Sequence, residues 1–195
     1  MLIWKKNITS RKNKIISHLR SLADDGAYRR SCGEYICEGE KTLGEALSFG
    51  MDIKTVLWKE KPSDIFLPAG TEQFTAPADL FDHASFLKSG AGPLFTVRIR
   101  PQDKESRIDR AIVLENLQDP GNVGTVIRTA NAFNIDAVIL CGACADVYNP
   151  KTVRASMGAI FRQRVLEMTP PELDGFSRGR ELPLYGAALS EKASD

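Results

Sequence analysis

The sequence has no long hydrophobic run and little cysteine or histidine. The apolar stretch at the amino terminus ends at Trp4, and no later run approaches the roughly 18 residues that cross a membrane. Glycine and proline together make 25 of 195 residues. That share is close to the ordinary value of about 12% and excludes collagen and low-complexity chains. With 43% hydrophobic and 26% charged residues, the composition predicts a soluble, cytoplasmic, globular protein with no membrane segment.

The few cysteines and histidines give little support for a metal site. Of the four cysteines, only Cys141 and Cys144 have the spacing of metal ligands, and neither a second such pair nor a histidine pair accompanies them. Cysteines of a reducing compartment remain free thiols. We therefore predict no metal, and four thiols that are buried or half-buried.

Positive charge is concentrated at the amino terminus, although the net charge of the chain is only +1. Residues 1–30 contain eight Lys and Arg against two Asp, a net +6, which leaves −5 for the rest. A second basic cluster, between residues 151 and 164, contains no Asp or Glu. Two such patches suit a polyanion, whereas a solvated helix face would account for the first patch equally well.

Alternating strand and helix patterns divide the chain into two α/β parts. We predict a first domain over residues 1–98, beginning with a basic helix over 10–23, and a charged linker over 99–110. After the linker, four apolar strands at 111–117, 136–142, 162–168 and 182–190 alternate with helices or polar loops. Apolar strands separated by helices predict a parallel sheet covered on both faces. Asn149 and Pro150 mark the start of the second helix of this part.

The segment from Leu114 to Phe133 has the most specific pattern in the chain. It begins at the carboxyl end of a predicted parallel strand, where ligands bind in open α/β sheets. Asn122 either caps the following helix or points its amide at a ligand, and Gly124 allows another backbone to approach the start of the helix. Arg128 follows Asn122 by nearly two turns, so we expect it on roughly the same helix face.

This segment resembles the first signature of the SpoU (TrmH) family of RNA ribose methyltransferases, which belong to the knotted SPOUT class. The family pattern DPxNxGxxxRTAxAF is met from Asp119 to Phe133. Residues 151–159 resemble the family's RASxGA helix, and residues 28–47 resemble its RNA-binding domain. The resemblance implies a ribosomal-protein-like α/β domain followed by a parallel-sheet α/β-knot domain over 111–195.

The resemblance also implies a reaction, a cofactor and partners. A homodimer would transfer a methyl group from S-adenosylmethionine to a ribose 2'-hydroxyl of structured RNA, most of all ribosomal RNA. Arg128 would be the central catalytic residue with Asn122 beside it, and we favour a charged Arg128 that clamps a phosphate over one that acts as a base. The residues expected to contact RNA, each with a solvated surface as the alternative, are Lys12, Arg29, Arg30, Lys151 and Arg154.

The sequence departs from the family in one respect. Two later family signatures, a GxExxG loop and an S-L-N-V-S segment, are not found before Asp195. We therefore expect most of the cofactor pocket and the knot to lie outside these 195 residues, with Leu189 and Ser190 bordering the adenosine site. This chain alone is then expected neither to bind S-adenosylmethionine tightly nor to methylate RNA. The alternative function is that of a non-catalytic RNA-binding protein or fragment.

Overall fold

A computed structural model describes residues 6–87, 90 and 92–187. The N-terminal part, residues 6–98, contains the strands β1 (Lys6–Asn7), β2 (Glu34–Glu38), β3 (Ile53–Lys59), β4 (Glu72–Ala76) and β5 (Leu94–Arg98). They form one sheet in the order β1-β4-β3-β5-β2. β5 is antiparallel to both β2 and β3, while β4 is parallel to β1 and β3.

Four helices pack with this sheet: α1 (Lys14–Asp24), α2 (Gly26–Cys32), α3 (Glu40–Ser48) and α4 (Ala78–Ala84). α1 begins later than predicted, because Asn13 is extended and its side chain accepts from the N–H of Ile15 at 2.9 Å, which makes it the N-cap. α2 was not predicted. Asp25 caps it, since one carboxylate oxygen accepts from the N–H groups of Ala27 and Tyr28.

The C-terminal part, residues 111–187, contains β6 (Ala111–Glu115), α5 (Pro120–Ala132), β7 (Ala137–Cys141), α6 (Pro150–Ala155), β8 (Val165–Met168) and α7 (Pro170–Gly179). Its strands form the predicted parallel sheet, in the order β6-β7-β8. Every residue of β7 is buried. Both ends of β6 are exposed, because it is an edge strand. The prediction of strands covered on both faces is confirmed for β7, and in β6 the half-buried Ile112 and Leu114 pack against one apolar cluster while Val113 packs against another.

Three further predictions were wrong. Residues 182–187 form no strand: Leu184 and Tyr185 are exposed, and Pro183 has no N–H to donate to a ladder. The helix that the resemblance implies over residues 151–159 is shorter: α6 ends at Ala155, since the backbone enters the left-handed region at Met157 and Gly158, and a short 3-10 turn follows at Ala159–Phe161. Cys32 is exposed rather than half-buried.

The largest apolar cluster joins the two parts of the molecule. It contains Tyr35 and Phe95 from the first sheet together with Val138 and Ile160 from the C-terminal part. The segment 99–110 has no helix or strand, but Ile108 is buried against β7 and β8. The two parts therefore share a core, and the division into domains with a linker stays a prediction. No helix in the described residues is long and apolar enough to cross a membrane.

Candidate functional site

The first turns of α5 and α6 are joined by the side chain of Asp119. One carboxylate oxygen accepts from the N–H of Asn122 at 2.8 Å, and the other lies 3.1 Å from Nζ of Lys151. The bond from Asn122 and the ammonium of Lys151 lower the pKa of Asp119. Asp119 is thus the N-cap of α5, so of the two roles predicted for Asn122 helix capping is excluded, and contact with a ligand stays a prediction.

Close packing of α5 on α6 depends on Gly124. A Cβ at this position would lie 2.3 Å from the carbonyl oxygen of Thr152 and 2.7 Å from Cβ of Ala155. Any larger residue would push the two helices apart. This contact confirms the prediction that Gly124 permits a close backbone approach.

The side chains of Asn122 and Arg128 are exposed on α5. Within the described part of the chain, neither side chain takes part in a hydrogen bond or an ion pair, so both can bind a ligand. Six residues of helix correspond to a rotation of about 600°, which places the two side chains about 120° apart around the axis. The expectation that they share one helix face was therefore wrong, and a ligand that touches both must reach around α5.

Hydrogen bonds join the loop that follows β6 to the loop that follows β7, before α5 and α6 begin. Asn116 has a φ of 50°, and its Oδ1 accepts from the N–H of Ala143 at 2.8 Å. The N–H of Ala145 donates to the carbonyl of Leu117 at 2.8 Å. These bonds hold the carboxyl ends of two parallel strands in one arrangement, and the start of α5 with them.

Comparison with known proteins identifies the family. Residues 109–179 match the model of the SpoU rRNA Methylase family. Over 191 residues the chain is 30% identical to 23S rRNA (guanosine(2553)-2'-O)-methyltransferase RlmP of Bacillus subtilis, covering 96% of this chain and 75% of that protein. The chain belongs to the SpoU rRNA methylase family.

One further sequence relative and one solved structure are similar to this chain. A 23S rRNA (uridine(2479)-2'-O)-methyltransferase of Streptomyces viridochromogenes is 26% identical, with 85% of this chain and 61% of that protein covered. The crystal structure of an S-adenosylmethionine-bound rRNA methyltransferase from Sinorhizobium meliloti is similar to this chain with a TM-score of 0.78 at 23% identity, covering 89% of this chain and 68% of that one. At this identity the structural likeness establishes the fold alone.

The residues predicted to contact RNA in this SpoU-family chain fall into two groups. Lys12, Arg30, Lys151 and Arg154 are exposed. Arg29 is 3% exposed, and its guanidinium donates to Asp146 and to the carbonyls of Leu22 and Ala23. We therefore correct the prediction for Arg29: its side chain is committed inside the protein and does not lie on an RNA-facing surface.

The residues assigned to the cofactor, Leu189 and Ser190, lie outside the described residues. The strand that should lead to them is not formed over residues 182–187, which are mostly exposed. The cofactor site at Leu189 and Ser190 therefore stays a prediction. Within the described ranges, no three His, Cys, Asp or Glu side chains are grouped to hold a metal ion.

Two acidic residues of this region were missed by the sequence analysis. Asp119 had a signal, because an Asp directly before a proline is typical of a helix N-cap. Asp146 had none, since its partner Arg29 is 117 residues away in the sequence. Only the packing of α2 on the loop after β7 brings those two charges together.

Proposed function

We propose that this SpoU-family protein is an S-adenosylmethionine-dependent 2'-O-ribose methyltransferase of ribosomal RNA. The observation that supports the proposal is α5 itself, a capped and closely packed helix that presents Asn122 in its first turn and Arg128 nearly two turns later to solvent. The relatives named above as 23S rRNA 2'-O-methyltransferases support the substrate class. The S-adenosylmethionine-bound structural neighbour supports the cofactor.

Arg128 and Asn122 would act on the RNA. When bound, S-adenosylmethionine supplies the methyl group. Arg128, as a permanent cation with a planar fork of donors, would clamp a phosphate beside the target ribose and favour the alkoxide form of its 2'-hydroxyl. Asn122 would orient the sugar through its amide. The proton would leave to a bound phosphate or to water.

The proposal includes a basic RNA surface, a homodimer and a cytoplasmic location. The exposed side chains of Lys12, Arg30, Lys151 and Arg154 would contact phosphates, which position RNA without selecting a sequence. RNA affinity should then fall steeply between 50 and 200 mM salt, as counterion release requires. Sedimentation of the complete protein tests the dimer.

Disruption of the gene tests the proposed function, whatever the length of the complete protein. We expect one ribose methyl group to disappear from the ribosomal RNA, as mapped by mass spectrometry of RNase fragments, and to return when the wild-type gene is restored. An unchanged methylation map would reject the enzyme and leave the non-catalytic RNA-binding function. Calorimetry on residues 1–195 tests the separate expectation about the cofactor, which micromolar affinity for S-adenosylmethionine would contradict.

A further inference from the structure

A groove runs between the N-terminal and C-terminal parts of the molecule, at the opposite side of α6 from α5. It has a volume of about 220 Å³ and continues past Pro150 and Arg154 into a second cavity bordered by Lys151. We call it the α3–α6 groove, after the helices on its two sides. The lining residues that matter here are Glu38, Lys41, Phe86, Leu87, Arg154 and Met157.

Two cations of the α3–α6 groove are exposed and available to a ligand. Lys41 and Arg154 lie in no ion pair or side-chain hydrogen bond with another described residue. The arginines of a neighbouring cavity between the two parts, Arg100, Arg162 and Arg164, are instead committed to backbone carbonyls and carboxylates. Unpaired cations on the groove side are therefore suited to bind an anion.

The other acidic and basic groups near the groove largely cancel. Glu45 lies 3.4 Å from Arg162, and Lys151 lies 3.1 Å from Asp119. Glu38 is the remaining charge. Its two carboxylate oxygens accept from Oγ of Ser85 at 2.8 and 3.0 Å. Gly90 lies so close that a Cβ on it would be 2.2 Å from one of these oxygens. Ser85 and Gly90 therefore hold the carboxylate in place.

The walls of the α3–α6 groove include apolar side chains that solvent reaches. Met157 is 59% exposed, and Phe86 and Leu87 are half-buried. Thioether and aromatic groups form favourable contacts with the flat faces of bases. The groove thus combines cations for a phosphate, apolar walls for a base and a fixed carboxylate that can accept from a base N–H.

We propose that the α3–α6 groove binds one unpaired nucleotide of the RNA substrate, with the phosphate on Lys41 and Arg154 and the base between Phe86 and Met157. The inference rests on the proposed function, because it takes RNA as the substrate. Glu38 would accept from an exocyclic amino group on the Watson–Crick edge, which favours cytosine over uracil. The base must leave its stack to enter the groove, so a duplex should bind more weakly than a single strand.

Binding of a fluorescent 12-nucleotide cytidine strand, followed by anisotropy between 50 and 200 mM salt, tests the phosphate contacts. The Lys41→Ala/Arg154→Ala protein should bind more weakly, and the slope of log affinity against log salt should fall by about 0.7 for each phosphate that is no longer neutralised. The control is Lys61→Ala/Arg178→Ala, which removes the same charges from exposed positions outside the groove. Equal affinity and slope in the two double variants, or no binding by wild type at 50 mM salt, would overturn the proposal.

Two variants test the base contacts. Met157→Ala should weaken binding several-fold without changing the salt slope, because it removes apolar area but no charge. Glu38→Gln should reduce a preference for the cytidine strand over a uridine strand, which we expect to be roughly tenfold in wild type. If wild type binds both strands and the duplex equally, the groove does not hold a base.

Failure of this subsite is distinguishable from failure of the proposed function. The subsite is measured by equilibrium binding alone, whereas the function is measured by the methylation map of ribosomal RNA in cells. If ribosomal RNA methylation depends on the gene but the two double variants bind RNA with equal affinity, the proposed function stands and the groove subsite is rejected. If RNA binding depends on the groove but the methylation map is unchanged without the gene, the groove subsite stands and the protein is a non-catalytic RNA-binding protein.

Discussion

The buried side chain of Arg29 and the half-buried carboxylate of Asp146 form an ion pair that joins the N-terminal and C-terminal parts of the molecule. Nε and Nη2 of Arg29 donate to one carboxylate oxygen of Asp146 at 2.9 and 2.7 Å, and Nη1 donates to the carbonyl of Leu22 at 2.6 Å. Asp146 in turn accepts from the N–H of Tyr148, in the loop that leads into α6. The pair therefore fixes the position of α6 relative to α2.

Removal of one partner of this pair should be strongly destabilising. Arg29→Ala leaves the Asp146 carboxylate without its cation, and we expect a loss of about 3 kcal/mol in the free energy of unfolding, measured with urea. Arg30→Ala is the control, since Arg30 is exposed next to it. The loss of unfolding free energy in the Arg29→Ala/Asp146→Ala double variant should be smaller than the sum of the losses in the two single variants. A loss below about 1 kcal/mol for Arg29→Ala would contradict the role of the pair.

Gly124→Ala should destabilise the protein through the packing of α5 on α6. The new methyl group would clash with the carbonyl of Thr152, and overpacking of this kind costs about 1 to 3 kcal/mol. Gly44→Ala is the matched control, because it also lies within a helix but a Cβ there meets nothing within 4 Å. The control should gain up to about 1 kcal/mol from helix propensity. We expect the free energy of unfolding, measured with urea, to fall in Gly124→Ala and to rise in Gly44→Ala. Equal changes in the two variants would argue against close packing of α5 on α6.

Arg128→Ala and Arg128→Lys should both abolish ribosomal RNA methylation in cells that depend on the gene for it. A lysine cannot replace the planar fork of the guanidinium at a bidentate phosphate contact. The midpoint of thermal unfolding should stay near that of wild type, because the side chain is exposed. Arg178→Ala, on α7, is the control and should restore methylation. Normal methylation with either Arg128 variant would remove Arg128 from the mechanism.

Glu38→Gln should change how stability depends on pH. Burial raises the pKa of Glu38 above its ordinary value of 4.5, against the opposing bond from Ser85. The folded protein therefore holds this proton to higher pH than the unfolded chain, and the stability contribution of Glu38 falls as pH rises from 4.5 through the raised pKa. The free energy of unfolding of Glu38→Gln minus that of wild type, both measured with urea, should therefore be larger at pH 8 than at pH 4.5. Glu40→Gln, at an exposed position two residues away, is the control variant for the same measurement.

Local signals in the sequence predicted most of the elements around the candidate site. The strand predicted from the apolar run of β7 and the helix start predicted at Asn149 and Pro150 are both present in the structure. They could be predicted because burial of a strand and capping of a helix depend on neighbouring residues. The strand predicted over 182–190 shows the limit of such signals. Its apolar pattern suits a strand, but a strand also needs a partner, and no described strand pairs with residues 182–187.

The sequence by itself determined the family motif from Asp119 to Phe133, the parallel order of strands and helices that carries it, and the glycine on which α5 packs. These features depend on residues close together in the chain. The tertiary structure alone decided that Arg29 is buried against Asp146, and that Lys41 and Arg154 border one groove. Charges that are more than 100 residues apart meet only when the two sheets share a core, and no local pattern encodes which of them become paired and which stay exposed.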